Sequence, residues 1–77
     1  MPAPPEMWKA FIEHLEGMIA KRQAQLAPLE SGEMHMGHRG ADTNFQWVDI
    51  TEAQAQSLRN EITSIQRTID RVRKDYA

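Results

Sequence analysis

The stretch AQSLRNEITSIQRTIDRVRKDY, Ala55 to Tyr76, decides the fold of this chain. Its apolar residues recur at alternating steps of three and four positions, and polar or charged residues fill the positions between them. This spacing places a narrow apolar seam along one face of an α-helix, enough to face one partner helix. Ala55 leads into the seam, which consists of Leu58, Ile62, Ile65, Ile69, Val72 and Tyr76.

The start of this helix carries two overlapping capping signals. Thr51 is a suitable N-cap, and Gln54 three residues later completes a capping-box pattern. Asp49 with Glu52 offers the same pattern two residues earlier. We therefore expect the helix to cover residues 51–75, with its first residue uncertain by about two positions.

A partner helix is predicted over residues 6–29. Pro4 and Pro5 suit its entrance, because proline is tolerated in a first helical turn. Pro28 should end or bend its last turn, because its ring clashes with the carbonyl group four residues earlier. The apolar positions again alternate in steps of three and four, and they are Trp8, Ile12, Leu15, Ile19, Leu26 and Leu29.

Arg22 stands in this second seam where an apolar residue is due. Two interpretations remain open. Its aliphatic stem lies along the seam with the guanidinium in water, or it pairs with an acid such as Glu61 on a neighbouring helix.

The residues between the helices predict a short β-hairpin. Two segments, 33–36 and 45–50, alternate polar and apolar side chains, and a stretch rich in turn-forming residues separates them. A loop of about twenty residues without structure would be unusual in a compact domain. We expect four side chains to share one face and cover the open end of the helix pair, namely Met34, Met36, Phe45 and Trp47.

With 77 residues, the chain is expected to be a single domain over residues 1–77. Two helices of equal length joined by a hairpin predict a mainly α fold with a minor β part, an antiparallel helical hairpin. The first helix has too wide an apolar stripe for one partner, so we expect self-association, first of all a dimer that forms a four-helix bundle. The expected interface residues are Trp8, Phe11, Ile12, Leu15, Met18 and Ile19.

Composition narrows the classes of function. The absence of cysteine removes disulfides and thiol chemistry, and cytoplasmic location is the expectation. A net charge of −2 argues against a nucleic-acid binder. No apolar stretch approaches the roughly 18 residues of a membrane span, and the start lacks the pattern of a signal peptide.

The segment MHMGH offers one candidate metal site. Met34, His35, Met36 and His38 are soft and imidazole ligands of the kind that suits copper. Strand alternation, however, would place His35 and the two methionines on opposite faces. We expect no metal, no cofactor and no catalytic residue, because no nucleophile motif or phosphate-binding loop is present. The paired carboxylates Glu13 and Glu16 lie among residues expected to face solvent.

The order of helix, LESGEMHMGH, FQWVDIT and a capped second helix resembles the small head-to-tail joining protein W family of tailed phages. The resemblance covers roughly residues 26–69. It rests on Leu26, Leu29 and Gly32 at the end of the first helix, on two short alternating strands, and on Thr51, Leu58, Ile62 and Ile65. It implies a helix, β-hairpin, helix fold and a virion component that docks on the portal ring and seats the tail connector.

The leading hypothesis is therefore a non-enzymatic assembly protein that works by protein–protein contact, with phage or prophage head–tail joining as its specific version and portal or tail proteins as partners. The alternative is a small dimeric helical adaptor or regulator. A Met/His metal-binding protein is the third hypothesis.

Overall fold

The computed structural model describes residues 5–76, and its architecture is an antiparallel pair of long helices. Helix α1 spans Pro5–Ser31 and helix α2 spans Thr51–Tyr76. Between them lie strands β1 (Gly37–His38) and β2 (Val48–Asp49), with a single 3₁₀ turn at Ala41–Thr43. The mainly α hairpin predicted from the sequence is confirmed. Within the described residues, neither helix is long and apolar enough to cross a membrane.

The two apolar seams run in opposite directions and mirror each other. From Trp8 to Leu29, the seam positions of α1 are separated by four and three residues in turn. The seam positions of α2 have the same order of spacings when followed backward from Tyr76 to Ala55. Antiparallel packing therefore sets each seam residue of α1 opposite one of α2. Residues buried in this interface are Ile12, Leu15, Leu26, Leu29, Ala55, Leu58 and Ile69.

These buried residues form two clusters rather than one continuous core. The cluster near the connector contains Leu26, Leu29, Ala55 and Leu58, and half-buried Met36 and Ile62 pack against it. The cluster near the chain ends contains Ile12, Leu15 and Ile69, and it is flanked by half-buried Trp8, Met18, Ile19, Ile65 and Val72. Tyr76, the last residue of the predicted seam, is 45% exposed.

Arg22 lies between the two clusters. Its Nε donates a hydrogen bond to Oε2 of Glu61 across the helix pair at 2.7 Å. A second guanidinium nitrogen donates to the Met18 carbonyl at 3.3 Å. Arg22 therefore pairs with Glu61, as the second interpretation expected. This polar pair divides the core in two.

Pro28 does not end helix α1, which runs two residues beyond the predicted end at about residue 29. The helix continues to Ser31, and Gly32 then takes a left-handed conformation with φ of 83°. The Met34 amide donates to the Pro28 carbonyl at 3.0 Å and satisfies one of the last free carbonyl groups. The missing N–H of Pro28 removes one helical hydrogen bond, but packing of Leu26 and Leu29 continues through this turn. Pro4 lies outside the described residues.

Helix α2 starts where the two capping signals overlap. The Ile50 carbonyl accepts the first helical hydrogen bond, from the Gln54 amide at 2.9 Å. The Asp49 carboxylate accepts hydrogen bonds from both the amide and the hydroxyl group of Thr51. The Thr51 hydroxyl also accepts from the Met36 amide at 2.9 Å. Asp49 therefore caps the helix, while Thr51 joins its first turn to the entry of the connector.

The connector hairpin is shorter than predicted. Its strands have two residues each, with Gly37 opposite Asp49 and His38 opposite Val48. Met36 packs on the helix core, but Met34, Phe45 and Trp47 are at least half exposed, so the predicted shared covering face is wrong. Asn44 and Phe45 have φ of 56° and 62°, which breaks the extended backbone that strand alternation requires.

Candidate interaction surfaces

The chain ends form an apolar groove of about 630 Å³ between the two helices. On its rim, Met7 is 64% exposed and Phe11 is 46% exposed. The lining is mostly apolar, and the residues that form it are Met7, Trp8, Ala10, Phe11, Val72 and Tyr76. A groove of this kind can accept an apolar side chain or helix face from another molecule.

A second apolar groove, of about 490 Å³, lies at the opposite end of the helix pair, beside the connector. Met34 is half exposed at its edge, and Met36 and Leu58 line its inner side. The remaining lining residues are Ala24, Gln25, Pro28, Leu29 and Gln54.

Both grooves lie on the same side of the hairpin. Ala10 and Phe11 line the first groove, and Ala24 and Gln25, each fourteen residues later, line the second. Fourteen residues are close to four full turns at about 3.6 residues per turn, so the same face of α1 borders both. We call this side the apolar flank, defined by Met7, Ala10, Phe11, Gly17, Met18, Ala24 and Gln25 of α1. Two exposed polar residues, His14 and Lys21, lie on the same face of the helix.

The opposite side, the charged flank, is closed by ion pairs between the helices. Arg73 lies 3.6 Å from the Glu16 carboxylate, and Arg59 lies 3.3 Å from that of Glu30. The two glutamates are fourteen residues apart, and so are the two arginines. Glu16 and Glu30 each come four positions after a buried seam residue, Ile12 or Leu26. Phe11 and Gln25 each come one position before the same residues. These offsets place the glutamates and the apolar flank on opposite sides of the seam.

Arg59 is the most connected cation of the charged flank. Its guanidinium also donates to Glu52 at 3.0 Å. The hydrogen bond to the Glu52 carboxylate and the pairing with Glu30 raise the pKa of Arg59 above its ordinary value. These exposed ion pairs favour the antiparallel register more than they add to stability.

The predicted interface residues divide between core and surface. Ile12 and Leu15 are 5% and 7% exposed and face α2, so they present no surface to another chain. Trp8, Met18 and Ile19 are half-buried against the same cluster. Phe11 alone among the six is exposed. Sequence reasoning missed Met7, Ala10 and Ala24, although Ala10, Gly17 and Ala24 recur at steps of seven on the apolar flank.

The connector ends in an exposed aromatic tip, formed by Phe45 and Trp47. Phe45 is 68% exposed and holds a positive φ of 62°, which is unusual for a bulky side chain. Its amide donates to the Gly40 carbonyl at 2.9 Å, and the Gln46 amide donates to the Thr43 carbonyl at 3.1 Å. The Thr43 hydroxyl lies 2.8 Å from the Gln46 carbonyl and donates to it. These bonds hold a strained turn that points Phe45 outward.

Trp47 lies across the backbone of Gly37. A Cβ atom at Gly37 would overlap three atoms of the Trp47 indole ring. Only a glycine therefore permits this close approach. The indole stays 57% exposed, so its outer face is free to contact another molecule.

The candidate metal ligands do not converge. His38 Nε2 lies 2.9 Å from the Asp42 carboxylate, while His35 Nδ1 lies 3.8 Å from that of Asp49. Met34 and Met36 line the connector groove. Among residues 5–76, no three His, Cys, Asp or Glu side chains are placed to hold a metal ion.

The Asp49 carboxylate is the acid most affected by its surroundings. Hydrogen bonds from the Thr51 hydroxyl and from the Thr51 amide lower the pKa of Asp49 below its ordinary 3.8, and the nearby His35 acts in the same direction. Its position at the start of α2 makes it a helix cap.

Comparisons of the chain with models of protein families, with curated proteins and with solved structures found no match.

Proposed function

We propose that this protein is a non-enzymatic assembly protein that works by protein–protein contact. The observation that carries the proposal is the aromatic tip, where Phe45 and Trp47 are 68% and 57% exposed on a turn held by several hydrogen bonds. Aromatic side chains held outward on a rigid support are the usual anchors of protein interfaces.

The backbone strain at Phe45 adds to this argument. A positive φ at a bulky residue costs of the order of 1 kcal/mol or more, and burial of its side chain within the chain does not compensate for it. A bound partner that covers the ring supplies the missing compensation, because burying a phenylalanine is worth about 1.5–3 kcal/mol.

The specific version of the proposal is head–tail joining in a phage or prophage, as the resemblance to the protein W family implies. In this version the connector tip contacts a portal or tail protein, and the helix pair is the rigid support. The alternative is a small dimeric helical adaptor or regulator. The grooves of the apolar flank favour it as much as they favour an assembly protein.

Genomic context and a binding experiment separate the two. The head–tail version requires packaging and portal genes beside this gene, and their absence would leave the adaptor alternative. The portal protein encoded there is purified as a ring and mixed with the full chain, and co-sedimentation is measured. The double variant Phe45→Ala with Trp47→Ala is the test, and Gln46→Ala, an exposed residue of the same loop, is the matched control.

We expect the wild type and the Gln46→Ala variant to sediment with the ring, and the double variant to stay in solution. Failure of the wild type to bind overturns the head–tail version. Equal binding by the double variant overturns the assignment of the tip as the contact surface. Circular dichroism of each variant checks that both helices are retained.

A further inference from the structure

We infer that the apolar flank is the contact surface for a second copy of this chain. In this dimer the two α1 helices run antiparallel about a two-fold axis that passes beside Met18. Phe11 of each copy then lies in the connector groove of the other, beside Gln25. This dimer rests on the proposed function, in which the protein works by protein–protein contact. It adds one partner, a second copy of the chain, and the surface that this partner uses.

The surface of a single chain is large for its mass. The accessible area is 5901 Å², whereas a compact monomer of 8.8 kDa exposes roughly 4,800 Å² by the usual scaling with mass. The excess, roughly 1,100 Å², is comparable with the ~800 Å² that each partner buries in a standard interface. The chain measures only 15 Å in its thinnest direction, so it has one layer of helices and lacks a second.

The apolar flank is self-complementary under a two-fold rotation. It carries protruding Met7 and Phe11 at one end and a groove beside Met34 at the other. Phe11 and Gln25 lie at equal distances on either side of Met18, seven residues each. A two-fold rotation about that point brings Phe11 of one copy onto the connector groove of the other, and Met34 onto the groove at the chain ends. The symmetry makes each contact occur twice.

Gly17 lies next to the centre of this surface. A glycine in the interior of a helix weakens it by roughly 1 kcal/mol relative to alanine. A Cβ at Gly17 would meet nothing within 4 Å, so no contact within the chain requires a glycine at this position. Gly17 lies seven residues from both Ala10 and Ala24, in line with the groove residues. These three small residues let a second α1 helix approach closely.

The charges near this contact can stay in water or paired. His14 and Lys21, both exposed, lie in the same row of α1 as Phe11 and Gln25. The aliphatic stem of Lys21 can cover apolar surface while its ammonium group stays in water. The ion pairs of the charged flank lie on the other side and stay in water. Arg22 lies near the apolar flank, but it is already paired with Glu61, so covering it leaves no unpaired charge. A net charge of −2 also produces little repulsion between two copies.

A matched pair of variants tests the surface. Gln25 and Gln23 are both exposed and only two residues apart, but Gln25 lines the connector groove whereas Gln23 points toward the charged flank. We expect Gln25→Lys to weaken dimerisation by at least about tenfold and Gln23→Lys to change it by less than about twofold, measured by sedimentation equilibrium. Equal effects of the two variants overturn the assignment of the flank.

A charge rescue tests the antiparallel arrangement. The Phe11→Lys chain and the Gln25→Glu chain should each dimerise poorly alone, because each places a charge in an apolar contact. In a heterodimer of the two chains, the new lysine at position 11 lies against the new glutamate at position 25. The other contact keeps the native Phe11 and Gln25. We expect the mixture to form heterodimers at least about tenfold more tightly than either homodimer. A mixture no tighter than the separate chains overturns the arrangement. Circular dichroism verifies that each chain keeps its helices.

The outcome is separable from that of the proposed function. A wild-type chain that stays monomeric at all concentrations but binds the portal ring removes this inference and leaves the proposed function. A dimer sensitive to Gln25→Lys that binds no portal ring supports this inference and removes head–tail joining.

Discussion

The Arg22 guanidinium donates to the Glu61 carboxylate at 2.7 Å and closes the one seam position of α1 at which no apolar residue is present. The pair lies between two separate apolar clusters and is 28% exposed on the arginine side and 53% on the glutamate side. Because both groups keep contact with water, the pair contributes little net stability and acts mainly to favour one register of the helices.

Replacement of Arg22 by leucine should therefore stabilise the hairpin. We expect Arg22→Leu to raise the free energy of unfolding by about 1 kcal/mol, because an apolar side chain facing Ile62 joins the two clusters while Glu61 stays solvated. Urea denaturation at one fixed protein concentration measures it. Glu61→Gln is the comparison and should cost less than about 1 kcal/mol. A loss of more than 1 kcal/mol in Arg22→Leu would show that the ion pair holds the helices together.

Ile69 is the most deeply buried large side chain among the described residues, at 1% exposure. Ile69→Ala should lower the free energy of unfolding by about 2–5 kcal/mol, because the cavity lies between Ile12 and Leu15 with little room to collapse. Thr68→Ala, at the exposed neighbouring position, should stay within about 0.5 kcal/mol. Similar losses in both variants would contradict the seam. Ile65, named in the sequence prediction, is half-buried, so its truncation should cost less than that of Ile69.

The close approach of Trp47 to Gly37 predicts a local effect. Gly37→Ala should displace the indole ring, because its new methyl group would overlap the ring atoms. Acrylamide quenching of Trp47 fluorescence in a Trp8→Phe background should then increase, while the helix content stays the same. Gln46→Ala in that background is the control. Unchanged quenching in Gly37→Ala would show that Trp47 does not rest on Gly37 in solution.

The capping arrangement predicts a pH effect at Asp49. Its folded pKa is lowered, chiefly by the hydrogen bond from the Thr51 hydroxyl. The stabilisation from this cap is therefore present above the unfolded value of ~3.9 and is lost as the pH falls through the folded pKa. Thr51→Val removes the hydroxyl group and should raise the pKa of Asp49 toward its ordinary value. The ¹³C shift of the carboxyl carbon against pH measures this, and an unchanged pKa would contradict the cap.

The helix pair was predictable from the sequence because its signal is local and repeated. The steps of three and four from Ala55 to Tyr76 leave one seam, and the same steps in α1 supply its partner. The position of Arg22 in that seam also indicated a pairing with Glu61, although the residues alone did not decide between pairing and exposure.

The connector and the interface were less predictable, for physical reasons. Alternation of side chains predicts a shared face only while the backbone stays extended, and the left-handed residues Asn44 and Phe45 interrupt it. Their conformation depends on hydrogen bonds to the carbonyl groups of Gly40 and Thr43, and on one from the Thr43 hydroxyl, that no local pattern encodes. The width of the stripe on α1 indicated an extra surface, but only the packing of α2 separates buried Ile12 from exposed Phe11.

The mass of the full chain in solution, measured by light scattering over a concentration series, tests the dimer most directly. We expect a mass that rises to about 17.6 kDa, twice the 8.8 kDa of one chain, and then stays constant. A constant 8.8 kDa up to the highest concentration would contradict the dimer through the apolar flank.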